Sequence, residues 1–415
     1  MTAPYQVVWK GPVHLASGIG HASREYVKAL RRAGVRVAVN KPSLPGTGRR
    51  LHRVLIYHDA PDSLDVAKER LRFDTVIVNT VWETTRVPQR WVRPLNAADA
   101  VFIPSRHNLR ALRNSGVRVP VFIVPHGVHA RLYAGLKRKW PAKGNRMPFT
   151  FLSVFGFQHR KNPEKLLRAF WEAFSAGDRV KLVIKTNGYS AKETEAFIRK
   201  RIAAYKKKLG IRKRTAPVEI IARRLSGRAM RRLYAQSHAF VLPTRGEGVG
   251  LPFLEAMASG LPVIATGWGG QMDFLNRRNA FLVPYRLKRT LATLNRRSTL
   301  SRSFRHLFAE QGQRWAEADL AALKKAMRTA YANPRLCRAK GERGRMEAAR
   351  WSWTRAGILM KKAIERTIRK NIRKKSRQQS PAVSAGRHRS NGKRTAGKRT
   401  RTRHRRDRKS HKSKK

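Results

Sequence analysis

Short apolar runs punctuate this chain, with longer stretches of helical periodicity between them. In the first part the runs are YQVVWK (5–10), VRVAVN (35–40), RVLIYH (53–58), DTVIVNT (74–80), ADAVFIPS (98–105) and VFIVPHG (121–127). Each has the length and composition of a strand. GPVHLASGIGHAS (11–23) reads as a glycine-containing loop, and REYVKALRRAG (24–34) as a helix closed by Gly34. Strands that alternate with helices form parallel βαβ units.

A basic linker, LKRKWPAKGNR (136–146), separates this set from a second. The second contains strands FTFLSVFG (149–156), KLVIKTN (181–187), PVEIIA (217–222) and HAFVLP (238–243). Helices are expected over 162–177 and 191–209, from Ser226, and over 317–332 and 351–370. The pattern predicts an α/β chain of two Rossmann-like doubly wound domains facing across a cleft. The expected parts are a first domain at 1–135, a linker at 136–148, a second domain at 149–350, a late helix at 351–370 and a tail at 371–415. Open parallel sheets bind ligands beyond the carboxyl ends of their strands, so the cleft is the expected site.

Composition narrows the setting. Hydrophobic residues make up 41% of the 415, enough to bury a sizeable core. No apolar run reaches the roughly 18–20 residues of a membrane span, and no secretory core follows Met1. Cys337 is the single cysteine, so no internal disulfide or thiolate metal cluster is expected and a reducing cytosol is the natural compartment. Lys and Arg number 93 against 24 acids, a formal +69. Residues 371–415 hold nineteen of those cations and one acid, Asp407; taking away their +18 leaves +51 on the first 370 residues. Such an excess attracts polyanions. The tail, with almost nothing apolar, is expected to be disordered.

The most informative stretch is TRGEGVGLPFLEAMASGLPVIATGWGGQMDFL (244–275). Glu247 and Glu255 stand eight positions apart, with Gly248, Gly250 and Pro252 between them. The glycines free the backbone to turn, and Pro252 suits the first turn of a helix. That helix would run through 253–259 and stop at Gly260, before the buried strand LPVIAT (261–266). Glu247 then lies on a loop before a helix N-terminus, and Glu255 within the helix. Free N–H groups at such an end suit a diphosphate, and carboxylates accept from sugar hydroxyls.

The segment EGVGLPFLEAMASGLPVIAT resembles the family 4 retaining glycosyltransferases (glycosyl transferases group 1), which use nucleotide sugars and have the GT-B fold. The resemblance extends over about 5–365. It implies that SVFGFQHRKNPEKLLRAF (153–170) supplies the basic contacts to the donor diphosphate. Here Phe157 follows Gly156 where many members carry arginine, and the basic pair is Arg160–Lys161, with Lys161 the first choice. Glu255 would hold the ribose and Glu247 the transferred sugar, while Gly248, Val249, Gly250 and Leu251 would offer backbone N–H groups. Lys185 at the end of 180–188 and the SGIG turn with Gly18 and Gly20 complete the expected donor contacts. Glu83 aligns where many members have a cleft histidine. Arg223, Leu225 and Tyr234 align with the segment framing the base. His126–Gly127 match the turn before the crossover, and Asp273 matches an acid common after the glycine pair. The late helix would cross back onto the first domain.

The activity so implied is transfer of a sugar from a nucleotide sugar to an acceptor hydroxyl with retention, by front-face attack. No cofactor or metal is expected, because protein cations stand in for one. The expected partners are the nucleotide sugar, a glycan or lipid-linked glycan acceptor, and an anionic membrane surface or other polyanion met by 371–415. The expected setting is bacterial surface or cell-envelope glycan synthesis, in the cytoplasm or at the inner face of the plasma membrane. A competing reading is a polyanion-binding scaffold on an inactive GT-B body, and a phosphorylase of the same fold is a third.

Overall fold

A computed structural model describes residues 4–40, 51–134, 138–141 and 147–379. The first domain carries β1 (Tyr5–Lys10), α1 (Gly18–Arg32), β2 (Val37–Val39), β3 (His52–His58), α2 (Val66–Arg70), β4 (Thr75–Asn79), α3 (Gln89–Ala97), β5 (Ala100–Ile103), α4 (Arg106–Asn114) and β6 (Val121–Ile123). The second carries β7 (Phe149–Val154), α5 (Pro163–Ala173), β8 (Val180–Lys185), α6 (Glu195–Lys208), β9 (Val218–Ile221), α7 (Gly227–Ala235), β10 (Ala239–Leu242), α8 (Leu251–Ala258), β11 (Val263–Thr266) and β12 (Ala280–Val283). Then follow β13 (Tyr285–Arg289), α9 (Thr290–Leu294), β14 (Arg314–Ala318), α10 (Leu320–Ala332), α11 (Pro334–Ala349) and α12 (Trp353–Gln379).

Two parallel six-stranded sheets result, ordered β2-β1-β3-β4-β5-β6 and β12-β11-β10-β7-β8-β9. Their central strands are buried Val, Ile, Leu and Phe runs, as a sheet covered on both faces requires, while the edge strands β6 and β9 are only partly buried. In the second sheet the chain steps β7-β8-β9 to one side and returns to β10 on the other. The loops after β7 and β10 therefore diverge and leave a crevice at the switch point. Those loops hold Arg160, Lys161 and Glu247.

Four local readings are corrected. Helix α1 starts at Gly18 rather than near 24, because Ser17 caps it by accepting from Gly20 N at 3.2 Å. Gly18 and Gly20 thus lie in a first helical turn. Residues 317–318 end a strand, since β14 pairs antiparallel with β13. Helix α11 was not anticipated: its stretch is rich in Arg and Gly, yet a Cβ on Gly341 would overlap the Gly260 carbonyl, so glycine here permits close helix packing. Helix α12 runs on to Gln379, into the segment expected to lack structure; the rest of that tail, 380–415, lies outside the described residues. No described helix is long and apolar enough to cross a membrane.

The two domains form one compact unit ending at Arg373. Trp353, Ala356, Met360, Ala363, Ile364 and Ile368 of α12 are buried with the β1, β3 and β5 side chains of the first sheet. A Cβ on Gly127 would meet the backbone of Trp353, so the turn His126–Gly127 is shaped to receive this helix. His126 lies against Trp353 with ring centroids 5.7 Å apart, and burial pushes its imidazole down to about 3. Its role is packing. Arg138, from the linker, is half-buried and donates to the carbonyls of Ser237, Ser259 and Gly260 at 2.6–2.9 Å, closing the C-terminal end of α8.

Trp353→Ala should remove about 3–5 kcal/mol of stability, the usual cost of emptying a buried tryptophan site. Denaturant unfolding of the two proteins would read it; a change below about 1 kcal/mol would contradict this account of α12.

Candidate active site

The crevice at the second switch point is built from two loops. After β7 the chain makes a single 3-10 turn, His159–Lys161, and Asn162 takes the left-handed conformation, φ 60°, which asparagine tolerates. Asn162 then caps α5 by accepting from Lys165 N. This arrangement turns Arg160 and Lys161 inward, and both are buried. After β10 the loop is stitched to the first: Arg245 N donates to Arg160 O at 2.7 Å, and Thr244 Oγ1 donates to the same carbonyl at 3.2 Å.

Glu247 meets both cations. Lys161 Nζ donates to its Oε1 at 2.6 Å, and Arg160 lies 3.3 Å from its Oε2. Arg160 also donates to Gly246 O at 2.5 Å and pairs with Glu83 of the first domain at 3.2 Å. The buried Arg160, Glu247 and Lys161 thus form one cluster with the half-buried Glu83 across the seam. Burial raises the Glu83 carboxyl, opposed by Arg160 and reinforced by Glu247. Burial also works to raise Glu247, but Lys161 and Arg160 together hold it below the usual range. Lys161 is lowered by burial and by Arg160. Arg160 is raised, its two carboxylates outweighing burial.

The seam is narrow because glycine backbones meet there. A Cβ on Gly246 would overlap the Glu83 carbonyl, one on Gly248 the Val81 side chain, and one on Gly270 the Gly248 carbonyl. Ser105 Oγ and Asn108 Nδ2 of α4 and its cap donate to Gly248 O at 2.7 and 3.2 Å. Arg106 donates through N and Nε to Asp273 at 2.9 and 3.1 Å, so Asp273 is an interdomain tie.

Gly250 caps α8 with φ 86° and no side-chain hydrogen bond. The helix end after Gly248 and Val249 is therefore without a side-chain cap, as a backbone anion site would need. Within α8, Glu255 accepts from Tyr234 Oη at 2.8 Å and from Tyr133, and burial still raises its carboxyl. Gly18 has open space around its Cα, whereas Gly20 is packed against Leu15 O.

Lys185 stands apart from the cluster. Its Nζ donates to Thr186 O at 2.8 Å, and burial and neighbouring Arg223 lower its pKa. Tyr234 is core, as its apolar neighbours suggest, yet its hydroxyl reaches Glu255. Tyr133, Ser105, Asn108 and Tyr189 escaped the sequence reading. Tyr189 accepts from Gln158 Nε2 at 2.7 Å beside the β7 loop, where a Cβ on Gly156 would overlap it. No spacing rule joins these residues to the groups they contact.

A second buried cluster braces the loop from behind. Arg245 pairs with Glu317 at 2.8 Å and Glu164 at 3.3 Å, and Lys165 pairs with Glu317 at 2.7 Å. Against the pull of burial, Arg245 and Lys165 bring Glu317 down to about 2, and His159 and Arg245 do the same for Glu164. A depressed carboxylate contributes stability that is present above its ordinary value of 4.5 and lost as pH falls toward 2. Acid should therefore destabilise the fold progressively through that window, and Glu317→Gln should flatten the loss. Thermal melts from pH 5 to 2 read this; identical pH profiles for the two proteins would contradict it.

Comparison with known proteins agrees with this architecture. Residues 148–295 match the family described as glycosyl transferases group 1. A 130-residue segment is 33% identical to a sucrose synthase of Melioribacter roseus, covering 29% of this chain and 16% of that protein. A 51-residue segment is 45% identical to sulfoquinovosyl transferase SQD2 of Arabidopsis thaliana, covering 12% of this chain and 10% of that one. Both alignments thus span only a small part of the relative. Anabaena HepE, solved in complex with UDP and glucose, superposes with a TM-score of 0.61 over 87% of this chain and 99% of its own, at 13% identity. The match over residues 148–295 places that part of the chain alongside the glycosyl transferases group 1, and the whole described chain shares the GT-B fold of the solved structure.

Proposed function

We propose that the chain transfers a sugar from a nucleoside-diphosphate sugar to an acceptor hydroxyl, with retention at the anomeric carbon. The observation that carries this reading is the pairing of Arg160 and Lys161 with Glu247 at the mouth of an uncapped helix. In this reading the diphosphate replaces the carboxylates as partner of the two cations. Lys161, Arg160 and the N–H groups of the 248–251 loop then face the charge that grows on the leaving phosphate. They are preorganised and buried, where such stabilisation is strongest. Glu247, released from the cations, orients the sugar through its hydroxyls. Glu255, held by two tyrosine hydroxyls, is aimed at the ribose. Glu83 closes the cluster from the first domain and meets a donor or acceptor hydroxyl. Lys185 and the Gly18–Gly20 turn, set apart from the cluster, serve the outer parts of donor and acceptor.

Two buried cations at the leaving-group position support a metal-independent reaction, with the departing phosphate taking the acceptor proton at the same face. The acceptor is a glycan or a lipid-linked glycan of bacterial surface or envelope synthesis, and the basic C-terminal segment brings the enzyme to an anionic membrane surface. The scaffold reading is not favoured, because a scaffold has no need of a buried Glu247–Lys161 pair. Breaking such a pair is costly unless something replaces the lost partner.

The test is nucleoside diphosphate release from UDP-, GDP-, ADP- and TDP-sugars, in EDTA, with and without glycan acceptors. Wild type should turn over one donor class. Lys161→Ala should lower kcat roughly 100- to 1,000-fold, the range for one lost preorganised donor, and Glu255→Ala should abolish detectable donor use. Equal release by wild type and both variants, or none with any donor and no nucleotide binding, would overturn the proposal.

A further inference from the structure

The loop after β11 serves two neighbours. On one, Gly270 N donates to Glu247 O at 2.7 Å. On the other, Gly267, Trp268 and Gly269 line a cavity of about 370 Å³. Its opposite wall comes from the first domain, through Thr85 and the α4 residues His107, Arg110 and Asn114. None of the four side chains of the Glu83–Arg160–Glu247–Lys161 cluster lines it.

The walls have a consistent chemistry. Trp268 is half-buried and Tyr285 exposed, with ring centroids 6.4 Å apart at 50°. They form an open V rather than a parallel slot, which a flat base would fill poorly. A pyranose ring offers a C–H face to such an aromatic surface, and its equatorial hydroxyls reach polar groups at the rim. Asn114 and Arg110, both exposed, provide those groups. His107 adds a further mark. One ring nitrogen bonds the backbone of Glu83, and Nε2 is buried with no hydrogen-bond partner. Burial brings this imidazole down to about 4, so it is neutral and Nε2 is an unmatched acceptor. The Trp268 ring covers it edge-to-face at 4.5 Å. A ligand hydroxyl beside a slightly shifted Trp268 would satisfy it.

We propose that this cavity is a second saccharide site, taking one or two pyranose rings of a neutral glycan, distinct from the donor site and linked to it through two backbone contacts. His107 touches the Glu83 backbone and Gly270 the Glu247 backbone, so occupancy on this side bears on both carboxylates. Its use as a subsite for the acceptor glycan rests on the transferase reading; the binding chemistry does not.

The test is isothermal titration of the full chain with maltose, maltotriose, lactose and N,N′-diacetylchitobiose, and separately with UDP and uridine. At least one of the sugars should bind. Trp268→Ala and Tyr285→Ala should each weaken it about tenfold or more, as loss of an aromatic anchor does, with UDP affinity unchanged. Tyr285 is exposed, so its variant keeps the fold, and a matching melting temperature checks this. Binding of no sugar, sugar affinities unchanged in both variants, or loss in the variants of uridine binding alone would overturn the proposal. Sugar binding that depends on Tyr285, in a protein that binds no UDP, would leave this site standing and overturn the transferase reading instead.

Discussion

The structure turns on a largely buried cluster of two carboxylates and two cations where the domains meet. Taking Glu83, Arg160, Glu247 and Lys161 out of water costs several kcal/mol per ion unless each is paired. The pairing repays that cost only if the two loops after β7 and β10 and the first-domain loop at 81–84 hold their positions together. Glycines at 246, 248 and 270 let the backbones close that far. Ser105, Asn108 and Arg106 then fix the approach by bonding Gly248 O and Asp273. The same low-dielectric setting that makes the cluster expensive makes its cations effective against a phosphate. Fold and proposed chemistry therefore draw on one arrangement.

Acids are scarce here, 24 against 93 cations, and several of them lie inside. Glu83 and Glu247 meet the cations at the seam, Glu255 is held by Tyr234 and Tyr133, Glu164 and Glu317 brace the loop behind, and Glu25 of α1 joins Lys28 and His129. Interior carboxylates surrounded by surplus cations find partners easily. The surface keeps the positive excess, which favours approach to anionic partners without specifying which.

Much of this was legible from pattern. Strand runs such as 149–156 and 238–243 announced themselves by apolar density, and their alternation with helices gave both parallel sheets. The Glu247–Glu255 spacing, with glycines and a proline between, located the loop and helix that carry the candidate site, and Arg160–Lys161 joined it through the resemblance. What pattern left out is three-dimensional partnership. Nothing local ties Tyr133 to Glu255 or Arg138 to the end of α8, since each contact spans about a hundred residues or more. Lys185 ends a strand next to β7, yet its ammonium turns to its own neighbour's carbonyl, and strand-end position alone does not show that. The start of α1 was missed because two glycines looked like a loop, when Ser17 caps a helix through them.

The central claim is that the two cations now bound to Glu247 are those a diphosphate would take. UDP affinity of Glu247→Gln and Lys161→Met, set against wild type by equilibrium titration at one ionic strength, tests it most directly. Removing the carboxylate should free its cations and tighten UDP binding, while removing the ammonium should weaken it. Equal affinities in all three proteins, or tighter binding when Lys161 is lost, would contradict the account.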